Sequence, residues 1–338
     1  MSVYFRPLPQ AGRPSGPEAL PLAGGPLWFD RAERLERGVP PRLMPAAEIP
    51  EAWRAALTRP RAAMAGLSMD RPRLMGILNV TPDSFSDGGR HAAPDTALAH
   101  ALAMRDAGAD LLDIGGESTR PGALPVPEAE EIARTAPVIA AIRARATLPI
   151  SIDTRKRVVA EAAVGAGASL VNDVSALGYD EGLAGYCAAA QLPVCLMHAQ
   201  GDPRTMQDDP HYDDVLLDVY DFLAMRMAAA ETAGIARDRL IVDPGIGFGK
   251  TVAHNLALIA GLSLFHGLGV PILLGASRKS FIGRITDTPV AAERVAGSVA
   301  VALAGAAQGA QILRVHDVAQ TGQALAMWQA VHGGPDGS

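Results

Sequence analysis

The chain has 338 residues, of which 49% are hydrophobic and only 4% aromatic, and it carries a formal net charge of −6. The acidic balance argues against general nucleic-acid binding, which needs a broad basic surface, and no apolar run approaches the roughly 18 residues of a membrane span. The N-terminus lacks the apolar centre of a signal peptide, and neither Cys187 nor Cys195 belongs to a CxxC pair. We expect a cytoplasmic protein with an aliphatic core, reduced cysteines, and no nucleic acid or membrane among its partners.

Residues 1–70 differ in composition from the rest of the chain. They contain 11 of the 26 prolines and two of the three tryptophans, Trp28 and Trp53. Prolines at this density exclude long helices, but the segment LPLAGGPLWFD predicts a small hairpin and residues 49–58 predict one short helix. We interpret residues 1–70 as a proline-rich accessory extension that packs on a main domain, residues 71–335.

From residue 72 onward, short apolar runs alternate with alanine-rich stretches of helical periodicity. The apolar runs predict eight strands, at Leu74–Asn79, Asp110–Ile114, Pro149–Asp153, Ser169–Asp173, Pro193–His198, Leu240–Asp243, Pro271–Leu274 and Gln311–Val315. The stretches between them predict helices, for example at Asp95–Ala107, Pro127–Arg145, Lys156–Ala166, Asp213–Ala233, Ala253–His266 and Val290–Ala307.

Eight strand–helix units over about 260 residues have the size of a (β/α)8 barrel. A doubly wound open sheet is the alternative, and periodicity alone does not separate the two. No GxGxxG follows the first strand, which favours the barrel. The sequence therefore predicts an α/β protein, a (β/α)8 TIM barrel with an N-terminal accessory extension.

All eight predicted strands end in polar or ionisable residues, where barrel enzymes keep their chemistry. One group consists of short acceptors and amides at buried depth: Asp113, Asp153, Asn172 and Asp243. A buried carboxylate is costly unless something donates hydrogen bonds to it, and a flat heterocycle with an amino-pyrimidinone edge supplies such donors. The alternative interpretation is that Asp153, Asn172 and Asp243 only cap the helices that follow.

A second group at the strand ends is cationic and suits a phosphorylated substrate, with arginine as a forked ligand and lysine as a point charge. Its members are Arg120, Arg278, Lys279, Arg314 and His316. Asn79, with Asp87 nearby, offers the few oxygen ligands that Mg²⁺ takes beside phosphate and water.

The strings at the strand ends, taken together, closely resemble those of the dihydropteroate synthases of the pterin-binding barrel group. The resemblance spans about residues 74–330, in family order, and rests on MGILNVTPDSFSDGG, DIGGESTRPGA, SIDT, VNDVSA, LMH, DPGIGFGK, GASRKSFIG and RVHDV. It implies that the chain joins 6-hydroxymethyl-7,8-dihydropterin diphosphate to 4-aminobenzoate, giving 7,8-dihydropteroate and pyrophosphate. This is the step of folate biosynthesis that sulfonamides block.

The resemblance also implies a role for particular residues. The pterin is expected at Asp153, Asn172, Met197, Asp243, Phe248 and Lys279. Pyrophosphate is expected at Asn79, Thr119, Arg314 and His316, with the cofactor Mg²⁺ bound to Asn79. The aminobenzoate is expected at Phe85, Ser118, Thr119, Arg120, Pro121 and Ser277, and the catalytic groups are Asp87, Lys279, Arg314 and His316.

Two other functions fit the same barrel. A methyltetrahydrofolate-dependent methyltransferase shares the aspartate and asparagine acceptors but does not need the SRK, RVHDV and STRPG strings. An inactive pterin-binding paralogue is expected to have lost Asn79, the loop that follows the first strand as far as Gly89, or Arg314 and His316, all of which are present. Members of the family that the chain resembles are commonly homodimers, so we expect a homodimer.

Overall fold

The structure is a computed structural model that describes residues 2–14, 16–80, 89–118, 124–201, 206 and 208–333, with the backbone alone for residues 89–94. The N-terminal part forms two small sheets and one short helix. Its elements in chain order are β1 Val3–Pro7, β2 Leu20–Pro21, β3 Trp28–Phe29, β4 Arg31–Glu36, β5 Val39–Pro45 and α1 Glu51–Thr58.

β2 and β3 pair antiparallel, with Leu20 opposite Phe29, so the predicted hairpin is confirmed. The predicted short helix is confirmed as α1. The sheet of β1, β4 and β5 was not predicted, because three prolines interrupt β5. They are tolerated because β5 is an edge strand, whose outward N–H groups pair with no other strand of the sheet.

The remainder of the chain alternates strands and helices. The elements are β6 Arg73–Asn79, α2 Gly89–Asp106, β7 Leu111–Gly115, α3 Glu128–Arg143, β8 Ile150–Asp153, α4 Arg157–Gly165, β9 Leu170–Asp173, α5 Glu181–Ala189, β10 Val194–Met197, α6 Val215–Thr232, β11 Leu240–Asp243, α7 Val252–Ala260, β12 Leu273–Leu274, α8 Ser280–Thr286, α9 Val295–Ala307, β13 Ile312–Val315 and α10 Val318–Gly333.

Strands β6–β13 form one parallel eight-stranded sheet, in the order β11-β10-β9-β8-β7-β6-β13-β12. A parallel bridge between Val242 and Ile272 joins its two ends. The sheet is therefore closed, and the predicted (β/α)8 barrel is confirmed over the open doubly wound sheet. Parallel strands place their carboxyl ends at one rim, which we call the mouth.

The N-terminal part packs on the outside and the floor of the barrel. Trp53 stacks on Tyr220 of α6, with 5.7 Å between ring centroids, and Tyr4 meets the same ring edge-on. Met64 and Met69 join the apolar layer inside the barrel at the amino ends of the strands. Residues 60–70 thus close the end opposite the mouth. None of the helices in the described ranges is both long and apolar enough to cross a membrane.

Candidate active site

Four of the predicted site residues meet in one network at the mouth. Arg314 on β13 donates from Nε to Asp113 Oδ2 at 2.5 Å and from Nη2 to Asp153 Oδ2 at 2.7 Å. Asn172 Nδ2 also donates to Asp113 Oδ2, at 3.1 Å. Because its amide nitrogen is held by Asp113, the Asn172 carbonyl oxygen is left to accept from a ligand.

Asp243 at the end of β11 is held by its own loop. Its Oδ1 accepts from the Gly245 backbone N–H at 2.7 Å. Gly245 has φ +68°, and a Cβ there would lie 1.8 Å from the carbonyl oxygen of His198, so only glycine fits this turn. Burial raises the pKa of Asp243 to about 6, although Gly245, Lys279 and Arg314 oppose it.

Asp153 is the second carboxylate with a raised pKa. Burial is the main cause, Arg314 opposes it, and repulsion from Asp113 adds to it, so that the pKa reaches about 7. Buried carboxylates at a barrel mouth with pKa values this high are typical of binding or catalytic sites. They are costly in the unliganded protein and gain from donors that a ligand brings.

A cavity of about 360 Å³ opens beside these acceptors, and we call it the mouth cavity. Asp153, Met197, Phe248 and Ser118 are among its lining residues. Asn172 pairs in register with Asp153, and Asp243 pairs with Met197, so both acceptors flank residues that line it. Lys279 places its ammonium 3.9 Å from the centre of the Phe248 ring, a cation–π contact at the same edge.

Ser277 and His316 form a pair at the end of β13. The His316 backbone N–H donates to Ser277 Oγ at 3.2 Å, and His316 Nδ1 lies 3.0 Å from the same oxygen. Burial, with Arg314 and Arg278 nearby, lowers the pKa of His316 to about 3. The ring is therefore neutral, and its proton sits on Nε2 in the tautomer in which the Ser277 hydroxyl donates to Nδ1. In that tautomer Nε2 is free to donate to a ligand.

One member of the predicted cationic group, Arg278, is paired with a carboxylate of the protein itself. Arg278 forms a two-pronged ion pair with Asp317, at 3.0 and 2.5 Å, which ties the loop after β12 to the loop after β13. The Nε and Nη2 edge of its guanidinium is thereby occupied, next in sequence to Ser277. The neutral state of His316 likewise differs from the cation that the sequence predicted.

Other predicted residues stand apart from the network or outside the structure. Asn79 ends β6, with its Oδ1 on the same side of Gly115 as Asp153 Oδ2; a Cβ at Gly115 would lie 3.8 and 3.7 Å from these two atoms. Five predicted residues lie outside the described residues: Phe85, Asp87, Thr119, Arg120 and Pro121.

Two elements of the site did not follow from the sequence. Asp113 was recognised as a buried acceptor, but its pairing with Arg314, 201 residues away, depends on barrel closure. Lys250 is buried at the end of the DPGIGFGK string and lies 2.9 Å from His198 Nδ1 and from the Phe248 carbonyl oxygen. Burial lowers the pKa of Lys250 to about 7. The glycine-rich string gave no signal for this contact.

Comparison with known proteins agrees with this geometry. Residues 75–316 match the family described as pterin binding enzymes. The chain is 47% identical over 264 residues to dihydropteroate synthase of Escherichia coli K12, covering 78% of this chain and 93% of that protein. A Xanthomonas albilineans dihydropteroate synthase structure with 4-aminobenzoic acid has a TM-score of 0.77 and 53% identity, covering 82% of this chain and 99% of that one.

A Yersinia pestis dihydropteroate synthase structure with a sulfonamide drug has a TM-score of 0.75 and 49% identity, and covers 78% of this chain and 96% of that one. All three similarities combine high identity with nearly full coverage of the relative. The chain belongs to the dihydropteroate synthase family of pterin binding enzymes.

Proposed function

We infer that the protein is a transferase that condenses 6-hydroxymethyl-7,8-dihydropterin diphosphate with 4-aminobenzoate to give 7,8-dihydropteroate and pyrophosphate. The observation that carries this conclusion is the convergence of Asp153, Asn172, Asp243 and Arg314 at one mouth in a chain of this family. A methyltransferase that uses a folate cofactor needs the acceptors but has no need of the Ser277–His316 pair.

The acceptors bind the pterin. Asp153 and Asp243 accept from ring N–H groups in their ionised forms, and the Asn172 oxygen accepts from a third. Met197 and Phe248 pack against the flat faces of the ring system, and Lys279 donates to the ring from its place over Phe248. Burial raises the pKa values of these two carboxylates because it disfavours their ionised forms. A ring that donates hydrogen bonds to them stabilises the ionised forms and lowers the pKa values.

Arg314 and His316 bind the diphosphate. Arg314 uses Nε and Nη2 for Asp113 and Asp153, and within the described residues its Nη1 has no hydrogen bond, so this group faces the leaving anion. His316 donates from Nε2. The broken bond joins oxygen to the methylene on the pterin, so these donors stabilise the charge that develops on the departing pyrophosphate.

Asn79 is the residue that would hold Mg²⁺. An amide oxygen at the mouth, near Asp153, matches a cation that takes one or two protein oxygens and completes its shell with phosphate and water. The described residues contain no cluster of three or more His, Cys, Asp or Glu side chains suited to a metal, which fits an ion carried in with the diphosphate. When bound, the ion neutralises charge on the leaving group.

The wall of the mouth cavity that contains Ser118 binds 4-aminobenzoate, with its amine directed at the pterin methylene. Five further residues are assigned to the same subsite by the sequence resemblance alone: Phe85, Thr119, Arg120, Pro121 and Ser277. We expect sulfonamides to compete for this subsite, as the drug complex of the Yersinia pestis relative suggests.

We further propose a cytoplasmic homodimer. Helix α9 has no charged residue between Val295 and Ala307, and its outward positions Ala296, Ala300 and Ala304 are exposed, which suits a second copy. Cys187 and Cys195 are both buried and reduced, as suits a reducing compartment.

The test of the proposed function is pyrophosphate release measured with pterin diphosphate, 4-aminobenzoate and Mg²⁺, each omitted in turn, with 7,8-dihydropteroate identified by mass spectrometry. We expect product only when both organic substrates are present, and a strong dependence on Mg²⁺. Pyrophosphate release at full rate without 4-aminobenzoate would indicate a hydrolase instead.

A further inference from the structure

We propose that Lys156 is a positioning residue that sets the distance between the aminobenzoate wall of the mouth cavity and the pterin acceptors. This inference rests on the proposed function. Lys156 touches neither substrate in our assignment, and nothing in its sequence position, three residues after Asp153, predicts a role beyond the start of a helix.

Lys156 joins three separate segments through one ammonium group. Nζ donates to Glu117 Oε2 at 2.5 Å, to the Val126 carbonyl oxygen at 2.6 Å and to Glu131 Oε2 at 2.7 Å. Glu117 follows β7, Val126 lies in the segment before α3, and Glu131 lies in the first turn of α3. An ammonium has three N–H donors, so every donor of Lys156 is used.

The contacts of Lys156 are supported from both sides. Thr154 Oγ1 donates to Glu131 Oε1 at 2.7 Å, and Arg155 donates to Glu117 Oε1 at 3.0 Å. The side chain of Lys156 is 5% exposed and that of Glu131 is fully buried. Burial alone would lower the pKa of Lys156, but the hydrogen bonds that it donates to Glu117 and Glu131 outweigh burial and hold the pKa above its usual value.

The three segments joined by Lys156 form one wall of the mouth cavity. Its lining includes Glu117, Ser118, Pro125, Glu131 and Thr154, beside Asp153. Lys156 therefore fixes Ser118 and Pro125 relative to the strand end that carries a pterin acceptor. In a reaction between two bound substrates, a displacement of about 1 Å costs up to about a hundredfold in rate. The geometry gives Lys156 control over one of the two subsites.

The test compares Lys156→Met with wild type in steady-state kinetics and in calorimetric titration with the pterin diphosphate. We expect the KM for 4-aminobenzoate to rise about tenfold, while the Kd of the pterin diphosphate stays within about twofold. Wild type is assayed first, and failure to form dihydropteroate would overturn the proposed function. If wild type is active and the variant has an unchanged KM, only the present inference is overturned.

Arg73→Met is the matched control. Arg73 is also a buried cation between carboxylates, with Nη atoms 3.1 Å from Asp70 and Asp110, but it lies at the opposite end of the barrel. Both variants should lose stability, because each removes a buried cation from a carboxylate that is at most 12% exposed: Glu131 in one case and Asp110, which keeps Arg71, in the other. Only Lys156→Met should raise the KM for 4-aminobenzoate. The same rise in Arg73→Met would show that general destabilisation is the cause.

A double variant, Lys156→Met with Glu131→Leu, separates position from stability. The second substitution removes the Glu131 carboxylate, which Lys156→Met leaves buried without its cation, so stability should recover. The KM should stay raised, because Glu117 and Val126 still lack their contacts with Lys156. Recovery of the KM together with stability would contradict the inference. If neither variant folds, Glu117→Leu decides. It removes one contact of Lys156 and keeps those to Val126 and Glu131, so we expect the KM to rise about threefold. An unchanged KM would contradict the proposal.

Discussion

Arg314 on β13 reaches across the mouth to Asp153 on β8, with 2.7 Å between Nη2 and Oδ2, and it binds Asp113 at the same time. One guanidinium therefore serves two buried carboxylates. A single positive charge cannot neutralise two carboxylates. Burial and repulsion from Asp113 therefore raise the pKa of Asp153 to about 7, although Arg314 opposes them. The site is electrostatically incomplete until a ligand supplies donors.

Arg314→Met should destabilise the protein in a pH-dependent way. It leaves Asp113 and Asp153 buried without a cation, which costs about 3–5 kcal/mol. Without Arg314 the pKa of Asp153 in the folded state rises further above its value in the unfolded state. The free energy of unfolding of the variant therefore decreases more steeply as the pH rises. Urea denaturation should show a larger loss at pH 8 than at pH 6. Arg237→Met, at an exposed pair with Glu231, serves as control; a pH-independent loss in Arg314→Met would contradict the account.

Asp243→Asn should stabilise the unliganded protein while removing pterin binding. The carboxyl has a pKa of about 6 in the folded protein, against 3.8 ordinarily, so its contribution to stability decreases as the pH rises through this window. Asparagine stays neutral and keeps the acceptor for Gly245. We expect a gain of about 2–3 kcal/mol at pH 8 that vanishes near pH 4. A variant less stable than wild type at pH 8 would show that the ionised Asp243 carboxylate does not destabilise the folded protein.

His316→Ala should weaken binding of the diphosphate without affecting the pterin. The neutral ring donates from Nε2, and its loss removes one hydrogen bond to an anion, worth about tenfold in Kd. Calorimetry with the pterin diphosphate and with free 6-hydroxymethyl-7,8-dihydropterin makes the comparison. Equal losses for the two ligands would place His316 against the ring instead.

Lys279→Ala should abolish detectable pterin binding, because it removes both the ammonium over Phe248 and a donor to the ring. We expect a Kd at least about a hundredfold weaker. Circular dichroism confirms that the variant is folded. An unchanged affinity would contradict the role assigned to Lys279.

Removal of residues 1–58 should spare catalysis but lower stability. Those residues cover Tyr220 on α6 and the segment after α7, whereas Met64 and Met69, which close the barrel floor, are retained. We expect KM values within about twofold of wild type and a melting temperature lower by about 5–10 °C. Loss of turnover in a folded truncate would show that the extension belongs to the site.

The sequence predicted the barrel because its signals are local. Each of the eight predicted strands is present, with bounds that differ by at most two residues. Predicted helix ends were less accurate: the stretch to His266 ends as α-helix at Ala260, where Gly261 follows, and continues as a 3-10 turn. The boundary of the extension at residue 70 stays a prediction.

The contacts at the mouth form only when the barrel closes, so they could not be predicted from the hydrophobic periodicity of the sequence. Nothing local connects Asp113 to Arg314, or Lys156 to Val126, because each pair is brought together only when neighbouring strands and helices pack. Charge state is also set by burial, which is why His316 is neutral rather than cationic. The resemblance of the motifs predicted which side chains belong to the site, whereas their hydrogen-bond partners are seen only in the folded structure.

The most direct test of the central claim is calorimetric titration of 6-hydroxymethyl-7,8-dihydropterin diphosphate, with Mg²⁺, into wild type and into the double variant Asp153→Asn with Asp243→Asn. We predict binding with one site per chain in wild type, accompanied near pH 6.5 by proton release from the two carboxyls, whose pKa values are about 7 and 6. The folded double variant should show no binding. Equal affinity for both proteins, with no proton release, would contradict a pterin site built on these strand ends.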